Sequence, residues 1–328
     1  MIRLKDVAEK AGVSKGAASV VLGKSKVNIR VSPETAERIR AIAQEMGYVP
    51  NFSAKVLNGK ASKTFGVLID SLEPAVHSQQ LAAIERAADR VGCRILVAEA
   101  HDNVEKQATN YRFLQQYGVD GIICHAYGVH KYIDPSDKVV IWGASPREKF
   151  MCVYYDIATG YAEAAGHLRN RKRTRIGLAL SDIFSYDSLT ARYRAFQCLY
   201  PGAENMVFKL NAPVLDSECI RQEMHRLVRE FVVPRKIDAI ILQNDVFAVA
   251  LLSILPGYGI RVPDDLAIIG QDNDFFGRCV TPALTTIDTN ITQLARTIVD
   301  TLQELIENPE KERSSIAIPT TLITRETC

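Results

Sequence analysis

Residues 2–24 read IRLKDVAEKAGVSKGAASVVLGK, and residues 31–51 read VSPETAERIRAIAQEMGYVPN. In both stretches apolar side chains recur at three- and four-residue spacing, which is the pattern of short helices with one buried face. Helices this short are marginal in water by themselves, so they must bury those faces against one another. The two stretches therefore predict a small all-α unit.

Capping residues mark where these helices begin and end. Gly12 can adopt positive φ and ends the first helix, and Ser14 is a suitable N-cap for a second helix over residues 15–22. Ser32 and Pro33 are the expected N-cap and first residue of a third helix. Two helices joined by a tight, glycine-containing turn are typical of a helix-turn-helix unit.

Charge is distributed unevenly along the chain. The 328 residues carry a formal net charge of +2, but residues 1–63 hold 12 Lys and Arg against 5 Asp and Glu. The other 265 residues hold 28 basic against 33 acidic side chains. A basic head on a mildly acidic body indicates that the head binds a polyanion such as nucleic acid. A solvated basic surface without a partner is the alternative.

From Thr64 onward, apolar β-rich runs alternate with helical stretches. This alternation predicts βαβ units and therefore parallel sheets covered by helices on both faces. The same alternation of strands and helices resumes near residue 175, which indicates two α/β lobes. Ligands of such sheets bind beyond the carboxyl ends of the strands. The predicted strands are residues 65–69, 94–98, 121–124, 139–142, 153–155, 175–180, 206–210, 239–242 and 266–270.

Composition argues against export and against a membrane span. Seven Cys without a CxxC pair are typical of reduced thiols in a cytosol. The first 20 residues contain no apolar signal-peptide core. The longest apolar run, residues 246–252, is far shorter than the roughly 18 residues that a transmembrane helix needs. We therefore expect a cytoplasmic protein, associated with the nucleoid if it binds DNA.

The strings KDVA, AGVS, VS-ET and GYVPN all lie within residues 2–51. Together they resemble the head of the lactose-repressor/galactose-repressor (LacI/GalR) family of bacterial transcription regulators. The resemblance implies a homodimeric repressor that binds double-stranded, pseudo-palindromic operator DNA, with the second helix in the major groove. The positions of that helix expected to contact DNA are Ser14, Lys15, Gly16 and Ser19.

Several positions of the second helix depart from the family pattern. Ala17, Ala18, Val20 and Gly23 stand where the family usually has Thr, Val, Arg and Asn, and the loop that follows is longer than usual. These changes remove groups that read bases or phosphates. Lys15 is therefore the main candidate for a guanine contact, and a plain phosphate contact is the alternative.

The resemblance assigns residues 51–63 to a hinge helix and linker between the head, residues 1–50, and the body, residues 64–328. In the family, two hinge helices pair over the minor groove, where Leu57 would insert between base steps and kink the duplex. The alternative is that Leu57 packs only on its own domain. The other hinge residues expected to contact DNA or the paired helix are Asn51, Ala54 and Lys55.

The body resembles the periplasmic-binding-protein-like effector-binding and dimerisation domain of the family. Matching strings include IRVPDDLAIIGQDN at residues 260–273 and TPALTTI at residues 281–287. The resemblance implies a first lobe of about residues 64–156 plus 290–325 and a second lobe of about 157–289. The chain would cross between the lobes near Asp156, near Thr289 and close to a C-terminal strand over residues 318–324.

Three positions match the effector contacts of the family: Arg192, Asn244 and Asp272. Their donors and acceptors suit a sugar or related metabolite bound between the lobes. Each has a structural alternative, because Asn244 and Asp272 are also typical caps and Arg192 can form a surface salt bridge. Residues 70–78 and the segment after Trp142 depart from the family, so the pocket is unusual or binds nothing. Trp142 either covers a sugar face or lies in the core.

No set of residues points to catalysis. The sequence contains neither a GxxxxGK[ST] phosphate loop nor an HExxH zinc helix. We therefore expect no enzyme and no cofactor. Cys124, His125 and His130 are close in sequence, but without further ligands at regular spacing they do not predict a metal site. The alternative to a DNA-binding regulator is a cytosolic solute-binding sensor with little or no ligand-dependent switching of DNA binding.

Overall fold

The computed structural model of the chain contains two compact units, residues 1–64 and residues 65–328. The residues that it describes are 2–23, 29–48, 61–73, 75–101, 103–125, 131–143, 146, 148–181, 187–211 and 216–328.

Within its described residues, the first unit contains the three helices of the head. They are α1 (Leu4–Lys10), α2 (Lys15–Gly23) and α3 (Pro33–Glu45). Their positions match the three helices predicted from apolar spacing and capping residues. The helix-turn-helix prediction is therefore confirmed.

The turns of the head use the residues that the sequence singled out. Gly12 has a φ of +65°, a backbone conformation that residues with side chains rarely adopt. Ser14 Oγ accepts a hydrogen bond from the Ala17 N–H at 3.1 Å. Ser32 Oγ accepts one from the Thr35 N–H at 3.2 Å. Both serines therefore satisfy backbone donors that would otherwise be unpaired at a helix start.

Small side chains make up most of the core of the head. Ala8 and Ala11, near the end of α1, are buried with Ala18 of α2, and Ile39 of α3 packs fully buried against them. Because these alanines occupy little space, the helices can approach one another closely. This packing holds the start of α2 at the surface of the head.

The first sheet of the body consists of β1 (Thr64–Ile69), β2 (Arg94–Glu99), β3 (Gly121–His125), β4 (Val139–Gly143), β5 (Met151–Asp156) and β11 (Ser315–Pro319). The strand order is β11-β5-β4-β3-β1-β2. The pairings from β11 to β1 are parallel. The helices that accompany this sheet are α4 (Ala75–Arg90), α5 (Val104–Tyr117) and α11 (Ile291–Glu307).

The second sheet consists of β6 (Ile176–Leu180), β7 (Val207–Lys209), β8 (Ala239–Leu242), β9 (Ala267–Gln271), β10 (Thr285–Asp288) and β12 (Thr321–Ile323). The strand order is β12-β10-β9-β8-β6-β7, and only the β10–β12 pairing is antiparallel. Its helices are α6 (Ile157–Asn170), α7 (Asp187–Leu199), α8 (Ser217–Leu227), α9 (Asp245–Ile254) and α10 (Phe275–Cys279). The predicted α/β fold with two lobes of mainly parallel sheet is confirmed.

The chain passes between the sheets after Asp156, between β10 and α11, and at Thr320. The expected first lobe extended to residue 325, whereas β12 pairs with β10 of the second sheet. Thr320 Oγ1 donates to the Asp156 carbonyl at 2.7 Å and accepts the Gly160 N–H at 3.0 Å. These bonds hold the last crossing against the first one. In the sequence, β11 and β12 read as one strand because a single residue separates them.

Burial of the strands determines where polar chemistry is possible. Every residue of β1, β4, β6, β8 and β9 is buried. Strands covered on both faces leave polar side chains to the positions just beyond their ends. The residues that follow the carboxyl ends of β1, β8 and β9 are therefore the natural place for a ligand site.

Candidate functional site

The start of α2 carries the predicted DNA-contacting positions of the head. Ser14 and Lys15 are exposed, whereas Gly16 and Ser19 are half-buried. A Cβ added at Gly16 would lie 2.9 Å from Ile29 Cδ1, so the absence of a side chain lets the Ile29 side chain pack here. With Ser14 Oγ used as a cap, Lys15 is the long side chain that can reach outward from this end.

Basic side chains cover much of the surface of the head. Within its described residues, the one ion pair joins Lys10 Nζ and Glu45 Oε1 at 2.9 Å, and both side chains are exposed. Such a surface attracts a polyanion. The exposed basic residues are Arg3, Lys5, Lys10, Lys15, Arg30, Arg38 and Arg40.

Four of the predicted DNA-contacting positions belong to the hinge. They lie outside the described residues, so their contacts stay predictions. They are Asn51, Ala54, Lys55 and Leu57.

Arg192 and Asp272, predicted to contact an effector, come together in the second lobe. Arg192 Nε donates to Gln271 Oε1 at 2.8 Å, and Arg192 Nη2 lies 3.9 Å from Asp272 Oδ1. Asp272 follows β9 with a φ of +97°. Burial raises the pKa of Asp272 to about 6, although Arg192 acts in the opposite direction. Arg192 is buried and Asp272 is partly buried, so Arg192 does not form the surface salt bridge that was the alternative.

Asn244, the third predicted effector residue, is the N-cap of α9. Its Oδ1 accepts a hydrogen bond from the Phe247 N–H at 3.1 Å. None of the hydrogen bonds among the described residues uses its Nδ2, and the residue lines a cavity. The capping role and a ligand role therefore involve different atoms of one side chain.

This cavity lies between the two lobes and holds about 270 Å³ of empty space. Part of that space is open solvent, so the volume enclosed by the protein is smaller. The helix α4 of the first lobe also reaches across, because Gln79 Nε2 donates to Asp274 Oδ1 at 3.2 Å. The cavity is lined by Ala75 and Val76 of the first lobe and by Asn244, Asp245, Val246, Asp272 and Asp274 of the second.

Asp245 lines the cavity and is hydrogen-bonded to two other segments of the second lobe. Its Oδ1 accepts the Thr286 hydroxyl and its Oδ2 accepts the Asp274 N–H, both at 2.6 Å. Burial raises the pKa of Asp245 to about 8, although these two hydrogen bonds act in the opposite direction. A Cβ at Gly270 would lie 2.1 Å from Asp245 Oδ1, so only glycine leaves room for this carboxyl.

A second polar cluster lies at the strand ends of the first lobe. Asp70, directly after β1, is buried; its Oδ2 lies 2.5 Å from His125 Nδ1, and Gln107 donates to its Oδ1. The ring centroids of His77 and His125 are 4.9 Å apart. Burial and the neighbouring His125 lower the pKa of His77 to about 4, so His77 is neutral near pH 7.

Trp142 is fully buried, with its ring edge against His125 at a centroid distance of 5.0 Å. Its Nε1 donates to Gln80 Oε1 at 3.5 Å, and Gln80 Nε2 donates to the Tyr155 hydroxyl oxygen at 2.6 Å. Trp142 therefore lies in the core, which was the alternative to its covering a sugar face.

Two buried polar atoms near Arg192 have no partner among the described residues. They are the Tyr161 hydroxyl and Gln271 Nε2. Burial raises the pKa of Tyr161, and the charges of Arg192 and Asp272 also act on it, which places this hydroxyl beside the pair. A buried polar atom without a partner costs about 1–3 kcal/mol. A water or a polar ligand atom would remove that cost.

Sequence reasoning missed Asp70, Gln79 and Tyr161 as parts of the site. Asp70 directly follows a predicted strand, so the rule that ligands bind beyond strand ends could have found it. Gln79 and Tyr161 lie on helices, where no local pattern separates a site residue from any other polar residue.

No three His, Cys, Asp or Glu side chains within the described ranges lie close enough together to hold a metal ion. Cys124 is fully buried, and His130 lies outside those ranges. Across the same ranges, no helix combines the length and apolar character that a membrane crossing requires.

Comparisons with known proteins agree with this architecture. Residues 3–51 match the model for bacterial regulatory proteins of the lacI family, and residues 165–328 match the periplasmic binding protein-like domain. The HTH-type transcriptional repressor PurR of Escherichia coli is 27% identical over 334 residues, which cover 99% of this chain and 96% of PurR. PurR of Pasteurella multocida is 26% identical over 339 residues, covering 99% and 98%.

Among solved structures, the lac repressor dimer bound to operator and the anti-inducer ONPF has a TM-score of 0.87 and 25% identity, covering 99% of this chain and 98% of that one. A complex of the transcriptional regulator CelR with cellobiose shares the fold, with a TM-score of 0.69, 20% identity and complete coverage of both chains. The two family matches and the likeness to solved structures thus lead to one assignment. The chain belongs to the LacI family of bacterial regulatory proteins.

Proposed function

We propose that this protein is a homodimeric transcriptional repressor that binds a pseudo-palindromic operator and responds to a small polar molecule in the cleft between its lobes. The observation that carries the proposal is the exposed, basic start of α2, whose backbone is capped by Ser14. A helix presented in this way suits the major groove, where its first residues meet base edges. A regulator of this kind needs no catalytic group and works in the cytoplasm, where the chromosome lies.

DNA contacts are assigned to two parts of the chain. In the head, Lys15 reads a base or contacts a phosphate, and the backbone around Gly16 and the hydroxyl of Ser19 face the duplex. In the hinge, Leu57 inserts into the minor groove, where unstacking costs a few kcal/mol and is offset by the added contacts. The remaining hinge contacts are assigned to Asn51, Ala54 and Lys55.

The effector is assigned to the cleft that contains Arg192, Asn244 and Asp272. A buried guanidinium, an amide and a carboxylate recognise hydroxyl-rich molecules such as sugars and related metabolites. The unpartnered Tyr161 hydroxyl and Gln271 Nε2 offer further hydrogen bonds. Ligand binding between the lobes would change their relative angle, and coupling free energies of such switches are about 1–3 kcal/mol.

A homodimer presents two recognition helices to successive major grooves. The related lac repressor is a dimer on its operator. In this chain Phe275 and Phe276 of α10 are 67% and 64% exposed, with ring centroids 6.0 Å apart. An exposed aromatic pair of this kind suits a protein interface. Replacing both with Ser should shift the sedimentation of the protein towards the monomer, whereas Phe113→Ser, also on an exposed helix face, should not.

Sequencing of DNA fragments selected by the purified full chain tests the proposal. We expect one pseudo-palindromic site and an affinity that falls steeply with salt, because Lys and Arg displace counterions from phosphates. Asymmetric or unselective recovery would contradict it. Repeating the affinity measurement with candidate sugars separates a ligand-controlled repressor from a solute-binding sensor, which binds the sugar without a change in operator affinity.

A further inference from the structure

A strongly basic segment lies between α6 and β6, away from both sites described above. Residues 169–175 read RNRKRTR. We call this segment the basic turn. Arg169, Arg171, Lys172 and Arg175 are exposed, and Arg173 is half-buried. Five cations within seven residues form a local charge that the mildly acidic body as a whole does not predict.

A neighbouring loop adds to this charge. Arg175 Nε donates to the backbone carbonyl of Arg235 at 2.6 Å, which joins the basic turn to the segment before β8. That segment contributes Arg235 and Lys236. The carboxylate of Asp238 accepts the backbone N–H groups of Thr174 and Arg175, each at 2.9 Å, so it is used to hold the two loops together.

The charge of the basic turn is not neutralised within the described part of the chain. The ion pairs there include none of its cations. The nearby carboxylates Asp264 and Asp265 form ion pairs with Arg261, and Asp265 also feels the charge of Arg173 without an ion pair. Arg173 donates to the backbone carbonyls of Pro263 and Asp264. Unbalanced like charges repel one another, and such a cluster is typical of a surface that binds an anionic partner.

The basic turn lies at the edge of the second sheet opposite to the cleft. It leads directly into the amino end of β6, whereas Asn244 and Asp272 follow the carboxyl ends of β8 and β9. At about 3.3 Å per residue, the length of a strand separates the two edges by roughly 15 Å. A partner at the basic turn therefore leaves the cleft open.

We propose that the basic turn, together with Arg235 and Lys236, is a second DNA site that binds the phosphates of a duplex without reading bases. Four of its five cations are arginines, whose planar guanidinium groups pair with phosphate oxygens in bidentate fashion. The basic turn exposes no large apolar side chain, and the loop of Arg235 exposes one, Val233. A stable interface with an acidic protein would contain several such side chains at its centre. Phosphate contacts alone give weak, salt-sensitive binding.

This site can be tested by titrating the full chain with a short fluorescent duplex of random sequence. The measured quantity is the number of duplexes bound per chain. Four exposed residues of the basic turn are replaced with Gln. The matched control removes the same charge from exposed residues of the first lobe. The test substitutions are Arg169→Gln, Arg171→Gln, Lys172→Gln and Arg175→Gln; the control substitutions are Arg86→Gln, Lys106→Gln, Arg112→Gln and Lys138→Gln.

We expect the unaltered chain and the control to bind one more duplex per chain than the basic-turn variant, with melting temperatures unchanged. If about four phosphates are neutralised, this additional binding weakens roughly a hundredfold between 50 and 200 mM salt. Should the head bind no DNA, the difference of one duplex persists, so the two proposals fail separately. If the unaltered chain, the control and the basic-turn variant all bind the same number of duplexes per chain, the proposal of a second site is wrong. Labelled polyglutamate that binds there as tightly as the duplex overturns its assignment to DNA.

Discussion

Gln79 and Asp274 are 195 residues apart in the sequence, yet Gln79 Nε2 donates a hydrogen bond to Asp274 Oδ1 at 3.2 Å. Gln79 lies on α4 of the first lobe, and Asp274 immediately precedes α10 of the second. The bond therefore spans the cleft beside the cavity. A hydrogen bond to a charged group contributes about 1.5–3 kcal/mol, so this bond favours a closed arrangement of the lobes around a bound ligand.

Gln79→Glu should open the cleft, because two carboxylates would then face each other in place of the hydrogen bond. We expect a larger radius of gyration by small-angle scattering and effector binding roughly 10-fold weaker, in line with the loss of one such bond. Adding Asp274→Asn should reverse both effects, since the new amide can donate to the new carboxylate. Scattering curves that are identical for the original chain and Gln79→Glu would show that the bond does not hold the lobes together.

Arg192→Gln should abolish the response to effector while leaving operator affinity without effector unchanged. The guanidinium of Arg192 bonds to Gln271 and lies 3.9 Å from Asp272, which lines the cavity. Losing a charged hydrogen bond to a ligand costs about 1.5–3 kcal/mol, or roughly 10- to 100-fold in affinity. Calorimetry with a responding metabolite measures the change. Arg194→Gln, an exposed arginine on the same helix, is the matched control and should bind normally. Equal loss in both variants would count against a specific role for Arg192.

Asp245→Asn should remove a pH dependence of stability. Burial raises the pKa of Asp245 from 3.8 to about 8. Because the folded chain holds this proton more tightly than the unfolded chain, the stabilisation is complete below pH 3.8 and is lost as the pH rises through about 8. Asn is neutral; its Oδ1 can accept the Asp274 N–H, and its Nδ2 can donate to the Thr286 hydroxyl oxygen. The variant should therefore melt higher than the original chain at pH 9, with the gap closing towards pH 4.

Asp265 serves as a control for that experiment, because its pKa is shifted in the opposite direction. The hydrogen bonds of Arg261 lower the pKa of Asp265 from 3.8 to about 2. Its contribution is therefore present above pH 3.8 and is lost as the pH falls through about 2. Asp265→Asn should lower the melting temperature slightly at neutral pH, since the pair is exposed and screened. If the difference in melting temperature between Asp245→Asn and the original chain stays constant from pH 4 to pH 9, the buried-proton argument is refuted.

Lys15→Ala should weaken operator binding, and the form of the loss separates two roles. If Lys15 bonds to a guanine, binding falls by about 1–3 kcal/mol and selectivity at one base pair relaxes. If it contacts a phosphate, all sequences weaken alike and the salt slope falls by about 1. Titration of the selected operator and its single-base variants decides between these outcomes. Lys5→Ala, an exposed lysine on α1, should preserve selectivity. If Lys15→Ala binds the operator with unchanged affinity, α2 is not part of the DNA interface.

Much of the fold follows from patterns that act over a few residues. Gly12, Ser14 and Ser32 end or begin helices through their own backbone freedom or side-chain oxygen, so the head was predictable from spacing alone. The strands of the body were predictable for a similar reason, because full burial on both faces requires unbroken apolar runs. The crossing at Thr320 was not, since its bonds to Asp156 and Gly160 join distant parts of the chain.

The site shows the same division. Arg192, Asn244 and Asp272 were found through likeness to a family, and the structure brings Arg192 beside Asp272 and puts Asn244 on the cavity wall. The shared burial of Tyr161 and Gln271 with them has no trace in local sequence.

By itself the sequence determined most of the secondary structure, the helix-turn-helix head and the order of most α/β units, because caps, turns and apolar periods act between near neighbours. Only the tertiary structure decided which carboxylates are buried, that Gln79 reaches Asp274, and that Trp142 lies in the core instead of against a ligand. Those outcomes depend on how strand ends from distant segments converge, and burial, which sets their pKa values and hydrogen-bond partners, exists only once the chain has folded.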